Sequence, residues 1–155
     1  MKINDLVFGE LEYDYIWFKE ITIKFLKEDI KIALMVNGDE DGEFEDEQYL
    51  AYKKLMENWN DIQEDILNKI LEYYNLSREE LGYSIDSNKD YPNIDNINQI
   101  AKKINLVGII IPYSGAYDGR ECGLTFECTW DNENGIGVYL VDEQIIEVGY
   151  QDIVM

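Results

Sequence analysis

The chain has no histidine, two cysteines, two prolines and only 13 lysines and arginines against 33 aspartates and glutamates in 155 residues. Each shortage closes a class of function. Without imidazole there is no Ser-His-Asp or Cys-His catalysis, and no zinc site that needs a histidine ligand. A formal net charge of −20 argues against direct contact with nucleic acid or an anionic membrane, both of which require a basic face. The longest apolar runs, such as Ile109–Ile111, fall far short of the roughly 20 residues that span a bilayer. The amino terminus turns acidic at once and has no apolar leader core. A cytoplasmic protein is expected.

The two cysteines fit that expectation. Cys122 and Cys128 lie six residues apart on one predicted strand. At about 3.3 Å per residue their Cα atoms stand about 20 Å apart, well beyond the reach of a disulfide. Both fall on the apolar face of the strand, so they are read as buried thiols that behave as small hydrophobes.

What remains is rich in core-forming residues: 46% are hydrophobic and 13% aromatic, enough for a globular domain of this length without staples. No repeat, linker or composition break divides it, so a single domain over residues 1–155 is expected. Leu6, Phe8 and Leu11 suggest a short strand or hairpin. Ile21, Ile23 and Phe25 alternate with Thr22 and Lys24, Glu28-Asp29 reads as a turn, and Ile30, Ile32 and Leu34 share one face of the next strand. The period then changes. Tyr52, Leu55, Met56, Trp59, Ile62, Ile66, Ile70 and Tyr73 recur at three- and four-residue spacing, which predicts a long helix from Glu45 to Tyr74, stopped by Asn75. Ser77-Arg-Glu-Glu80 has the form of a capping box and predicts a fresh helical turn ended by Gly82. Ile97, Ile100, Ala101 and Ile104 mark a shorter helix. The last third is extended again: Leu106 to Pro112, then Cys122, Leu124, Phe126, Cys128 and Trp130 as a buried face against a wet face of Gly123, Thr125, Glu127 and Thr129, then turns at Asp131–Gly135 and Asp142-Glu143. The expected fold is α+β, an antiparallel sheet of N-terminal strands plus a C-terminal meander, packed against a long and a shorter helix.

Candidate sites are few. Asn37, Asp39, Asp41 and Gly42 imitate the start of a calcium loop, but the twelfth place, which needs a bidentate glutamate, holds Gln48. An acidic solvated loop is the stronger reading. Glu127 with Asp118 and Asp131 could supply paired carboxylates for acid–base work, although 33 acids make such coincidences unavoidable. Gly115-Ala-Tyr-Asp-Gly-Arg120 is a turn and not a phosphate cradle, since no Gly-Lys-Ser/Thr follows; Arg120 should pair with a neighbouring acid. Twelve tyrosines among carboxylates, with Tyr13, Tyr15 and Trp17 alternating near the start, also have the make-up of a protein-binding surface, aromatic anchors within a charged rim.

The C-terminal segment Gly123-Leu-Thr-Phe-Glu-Cys-Thr-Trp-Asp-Asn-Glu-Asn-Gly-Ile-Gly-Val138, followed by Glu147-Val-Gly-Tyr-Gln-Asp152, resembles a motif of small acidic bacterial proteins assigned to a domain of unknown function. Phe8-Gly-Glu-Leu-Glu-Tyr13 with its following tryptophan, and the helix around Tyr52-Lys-Lys-Leu55, are similar to the same family. The resemblance implies an α+β domain with no known active site, and some relatives resemble immunity proteins of toxin loci.

No enzymatic activity and no cofactor are expected. The leading expectation is an acidic binding module, an immunity protein that blocks a basic toxin domain such as a nuclease, because an anionic surface steers a cationic partner. The densest acids, Asp39, Glu40, Asp41, Glu43, Glu45, Asp46 and Glu47, are the expected contacts. Alternatives are a nucleic-acid mimic that occupies a DNA-binding protein, a carboxylate enzyme using a divalent cation, and an acidic domain with no dedicated partner.

Overall fold

The alternating and 3.6-residue patterns build one sheet with its helices on one side. A computed structural model describes residues 1–85 and 87–155. Strands β1 (Lys2–Asp5), β2 (Gly9–Asp14), β3 (Ile16–Phe25) and β4 (Glu28–Val36) precede helices α1 (Asp46–Glu80) and α2 (Ile97–Ala101). Strands β5 (Ile104–Ile111), β6 (Glu121–Cys128), β7 (Ile136–Val141) and β8 (Gln144–Gly149) follow, and a 3₁₀ turn at Gln151–Ile153 closes the chain. The eight strands stand side by side in sequence order. Every pairing is antiparallel except β4 with β5, which run parallel. The α+β expectation holds, with this one parallel junction joining its two antiparallel halves. A parallel junction needs a crossover, and α1 with α2 supplies it.

The face of the sheet towards α1 carries Trp17, Ile23, Phe25, Ile32, Leu34, Ile109, Leu124, Phe126 and Val138, all buried. Leu55, Trp59, Ile62, Ile66 and Ile70 of α1 meet them. Burying each such side chain stabilises the fold by roughly 1.5–3 kcal/mol. Trp59 also donates its indole N–H to Lys24 O at 2.7 Å.

Four local expectations are corrected. The turn between β3 and β4 is not Glu28-Asp29, which lies within β4, but Leu26-Lys27. Both residues adopt positive φ, 53° and 70°, the twist that suits a two-residue hairpin. Gln63 of α1 holds that turn through Leu26 N–H at 2.9 Å, so a tertiary contact overrides the absence of glycine. Next, α1 does not stop at Asn75. Leu76, Arg78, Glu79 and Glu80 favour helix, and Ser77 begins nothing: its hydroxyl donates back to Tyr73 O at 2.9 Å. The helix ends where Gly82 takes φ +81°, with Tyr83 N–H on Arg78 O and Gly82 N–H on Glu79 O, the glycine-terminated closure. Third, the supposed wet face of β6 is mostly dry: Gly123 and Thr125 are buried and only Glu127 and Thr129 are exposed. The closing 3₁₀ segment lies over that side of the sheet. A Cβ on Gly123 would come within 2.6 Å of the Val154 side chain, and one on Gly137 within 2.6 Å of Tyr150 O. Last, the N-terminal hairpin buries Phe8 and Leu11 but leaves Leu6 wholly exposed at its tip.

Both cysteines are free and buried, and burial pushes the Cys122 thiol up to about 12. Neither should react with a thiol reagent at pH 8 in the native state, and both should react once urea unfolds the chain; rapid native labelling at Cys122 would contradict this packing. Gly137→Ala should destabilise the domain by about 1–3 kcal/mol, read as a lower urea midpoint at unchanged slope.

Candidate functional site

The parallel pair ends with Val36 opposite Ile111, and both chains leave the sheet there as loops. The loop after Val36 is the acidic one, and it leads straight into the first turn of α1. Its frame is internal. Trp17 donates its indole N–H to Asp39 O at 2.8 Å, Gly42 N–H bonds the same carbonyl at 3.0 Å, and Gly42 takes φ +74° with its α-carbon side against Ile3. Gln48 is the central tie. Only 1% exposed, its amide donates to Asn37 O at 2.8 Å and Pro112 O at 3.1 Å, while its carbonyl accepts Glu45 N–H at 3.0 Å. One side chain thus joins both loops to the helix start. The position that an EF-hand loop would give to a bidentate ligand is therefore turned into the core and spent on backbone groups.

The second loop, residues 112–120, is fastened to the first. Glu45 accepts Ser114 N–H at 2.8 Å and Ser114 Oγ–H at 3.0 Å. Tyr113 donates its hydroxyl to Asp39 Oδ1 at 3.0 Å, and its pKa is raised by burial and by that carboxylate. Glu121, the one buried carboxylate among the described residues at 3% exposure, accepts Gly115 N–H at 3.0 Å and the Tyr139 hydroxyl. Burial, then that bond, pushes the Tyr139 phenol upward. Arg120 meets Glu143 at 2.7 Å and Asp142 at 3.3 Å, the acid pairing anticipated for it.

The expected contact residues divide in this setting. Asp39, Glu40, Asp41, Glu43, Asp46 and Glu47 are exposed, whereas Glu45 is half-buried and engaged with Ser114. None of the seven takes part in an ion pair among the described residues. The β2–β3 turn reaches the same end of the sheet, because Trp17 pairs with Val36. At its tip Tyr15 is 95% exposed with φ +63°, a conformation that is strained for a bulky aromatic. Tyr113 and Tyr117 are each about half exposed nearby on the second loop. Composition signals the acids but not Gln48, Ser114 or Glu121, whose roles follow from contacts distant in sequence.

The chain matches the DUF6985 family, a domain of unknown function, over residues 7–155. It belongs to that family. No curated protein and no solved structure matches it. The DUF6985 match takes in the acidic loop, Gln48, the second loop and Glu121, and leaves only β1 and the start of the following turn outside.

The other sequence candidates do not converge. Asp118 precedes β6, while Glu127 and Asp131 lie towards its far end, so about 20 Å of strand or more separates Asp118 from the other two. Asp131 accepts from Asn134 N–H and side chain within its own turn. Among the described residues no helix is long and apolar enough to cross a membrane. Gln48→Leu keeps the size of the side chain but strands the carbonyls of Asn37 and Pro112. It should cost about 1–3 kcal/mol and loosen both loops, visible as faster amide exchange at Ser114 and Gly115 with the β6–β7 amides unchanged.

Proposed function

We propose that this DUF6985 domain is a cytoplasmic acidic protein-binding module, an immunity protein that inhibits a basic bacterial toxin domain such as a nuclease, and that it binds through the acidic end of the sheet. The observation that carries the reading is the pairing of six exposed carboxylates that have no cationic partner among the described residues with exposed tyrosines, on loops tied from beneath by hydrogen bonds. Rigid aromatic anchors within a charged rim limit the ordering cost of association. Clustered carboxylates repel one another, and a cationic partner relieves that repulsion while speeding encounter. The buried ties of Gln48 and Glu121 and the half-buried Glu45 keep the frame intact when the outer acids are changed. No activity of the module's own is needed: occlusion of a phosphate-binding cleft is sufficient for inhibition.

The test compares the wild-type chain with a variant carrying Asp39→Asn, Glu40→Gln, Asp41→Asn and Glu43→Gln as affinity baits in lysate of the cells that encode the chain. A basic protein should be retained by the wild type at 0.1 M salt and released at 0.5 M, its nuclease activity should be suppressed by the wild type, and the variant should bind it at least tenfold more weakly. Equal retention by the variant, or retention that ignores salt, would overturn the reading.

A further inference from the structure

At the opposite end of α1 lies a concavity of different composition from the acidic end. Tyr73 comes from the last turns of α1, Tyr91 from the segment before α2, Trp130 from the β6–β7 turn and Tyr150 from the closing segment, and together with Glu80 and Asp131 they line a hollow of about 180 Å³. Its walls are built and backed. Tyr74, fully buried, lies 4.6 Å from Trp130 edge-on and 6.1 Å from Tyr91 in a nearly parallel stack. The Tyr74 hydroxyl is anchored on Pro92 O at 2.6 Å, and Tyr83 stands 5.0 Å from Tyr91 on another side. Arg78 closes the segment from below through Tyr91 O at 3.0 Å and Tyr83 O at 3.1 Å.

We propose that these four aromatic rings and two carboxylates form a cage for an organic cation, an ammonium or guanidinium group held by ring faces and neutralised by Glu80 and Asp131. The chemistry follows from the wall. Aromatic faces carry negative potential and attract a cation within about 6 Å of the ring centre, more strongly as water is excluded. An anion would meet two carboxylates, and a neutral apolar group would desolvate them for nothing in return. Glu80 forms no ion pair among the described residues, and the Asp131 carboxylate is held in place by Asn134. Burial, before any neighbouring charge, raises both the Tyr73 and the Tyr91 phenols, Tyr73 to about 12, so both rings stay neutral at physiological pH. The cage stands apart from the acidic end. From Asp46 to Ser77 the helix rises about 47 Å, so the two surfaces do not share a contact.

Choline and its neutral, equally shaped analogue 3,3-dimethylbutanol are the probes, at constant ionic strength, with the indole N–H signals of the chain as the readout. Trp17 and Trp59 donate theirs to backbone oxygens, so Trp130 alone should shift. Choline should shift it saturably and bind about tenfold more tightly than the alcohol. Tyr150→Ala, at a half-exposed residue, and Glu80→Gln should each weaken that binding at least severalfold, while the four-residue neutralisation of the acidic loop should leave it unchanged. Peptides bearing trimethyllysine, lysine or arginine then distinguish the sources: tighter binding than choline identifies a partner's side chain, and weaker binding identifies a free small cation. Equal binding of the alcohol, equal movement of all three indoles, or no shift of Trp130 at tens of millimolar choline would overturn the cage.

Discussion

The structure depends on one junction, the parallel contact of β4 with β5. Two antiparallel half-sheets could each exist as hairpin ladders, but joining them in parallel requires the chain to travel the length of the sheet and return. Helix α1 makes that passage, and its apolar stripe covers the core face of both halves. The junction is sealed where it is weakest, at the point where two strands stop side by side and expose carbonyls. Gln48 fills that gap with a side chain that donates to one loop and to the other while capping the helix it belongs to. A buried polar residue at this end of the sheet is stable because its hydrogen bonds are made, and no buried side-chain polar atom among the described residues lacks a partner.

The charge is handled by the same logic. A chain with 33 acids must keep nearly all of them in water. Glu121 is the exception, stabilised by a backbone N–H and a tyrosine hydroxyl. The surface acids are then free to act together as a field, and they are densest where both loops emerge. Lysines elsewhere pair across strands or along the helix, as Lys24 with Asp29, Lys31 with Glu20 and Lys54 with Glu57, which leaves the acidic end without internal neutralisation.

Periodicity made much of this legible. The alternation in β3 and β4, the apolar face of β6, the heptad-like stripe of α1, the burial of both thiols and the pairing of Arg120 follow from local patterns that solvent enforces. The readings that needed correction share a cause. Asn75 looks like a stop and Ser77 like a new start because their side chains compete with the backbone, yet an i−4 carbonyl satisfies Ser77 within one continuous helix. Leu26-Lys27 carries no turn signal, yet Gln63 holds it in the left-handed region. The far face of β6 looked wet because Gly123 and Thr125 are small and polar, whereas small residues there make room for a covering segment. Of the acidic end, the exposed carboxylates were evident in the sequence, and the three side chains that lock its loops were not.

Sequence alone determined the inventory: an acidic domain without imidazole chemistry, most of its strands and its long helix, and the apolar faces that leave water. Those properties depend on neighbours within a turn or a strand, where spacing and solvent decide. Tertiary structure alone decided which distant groups meet. Tyr73, Tyr91, Trp130 and Tyr150 lie on four separate segments, and Gln48 is more than sixty residues from Pro112; no periodicity links such positions, because their proximity is set by how the crossover helix lies on the sheet.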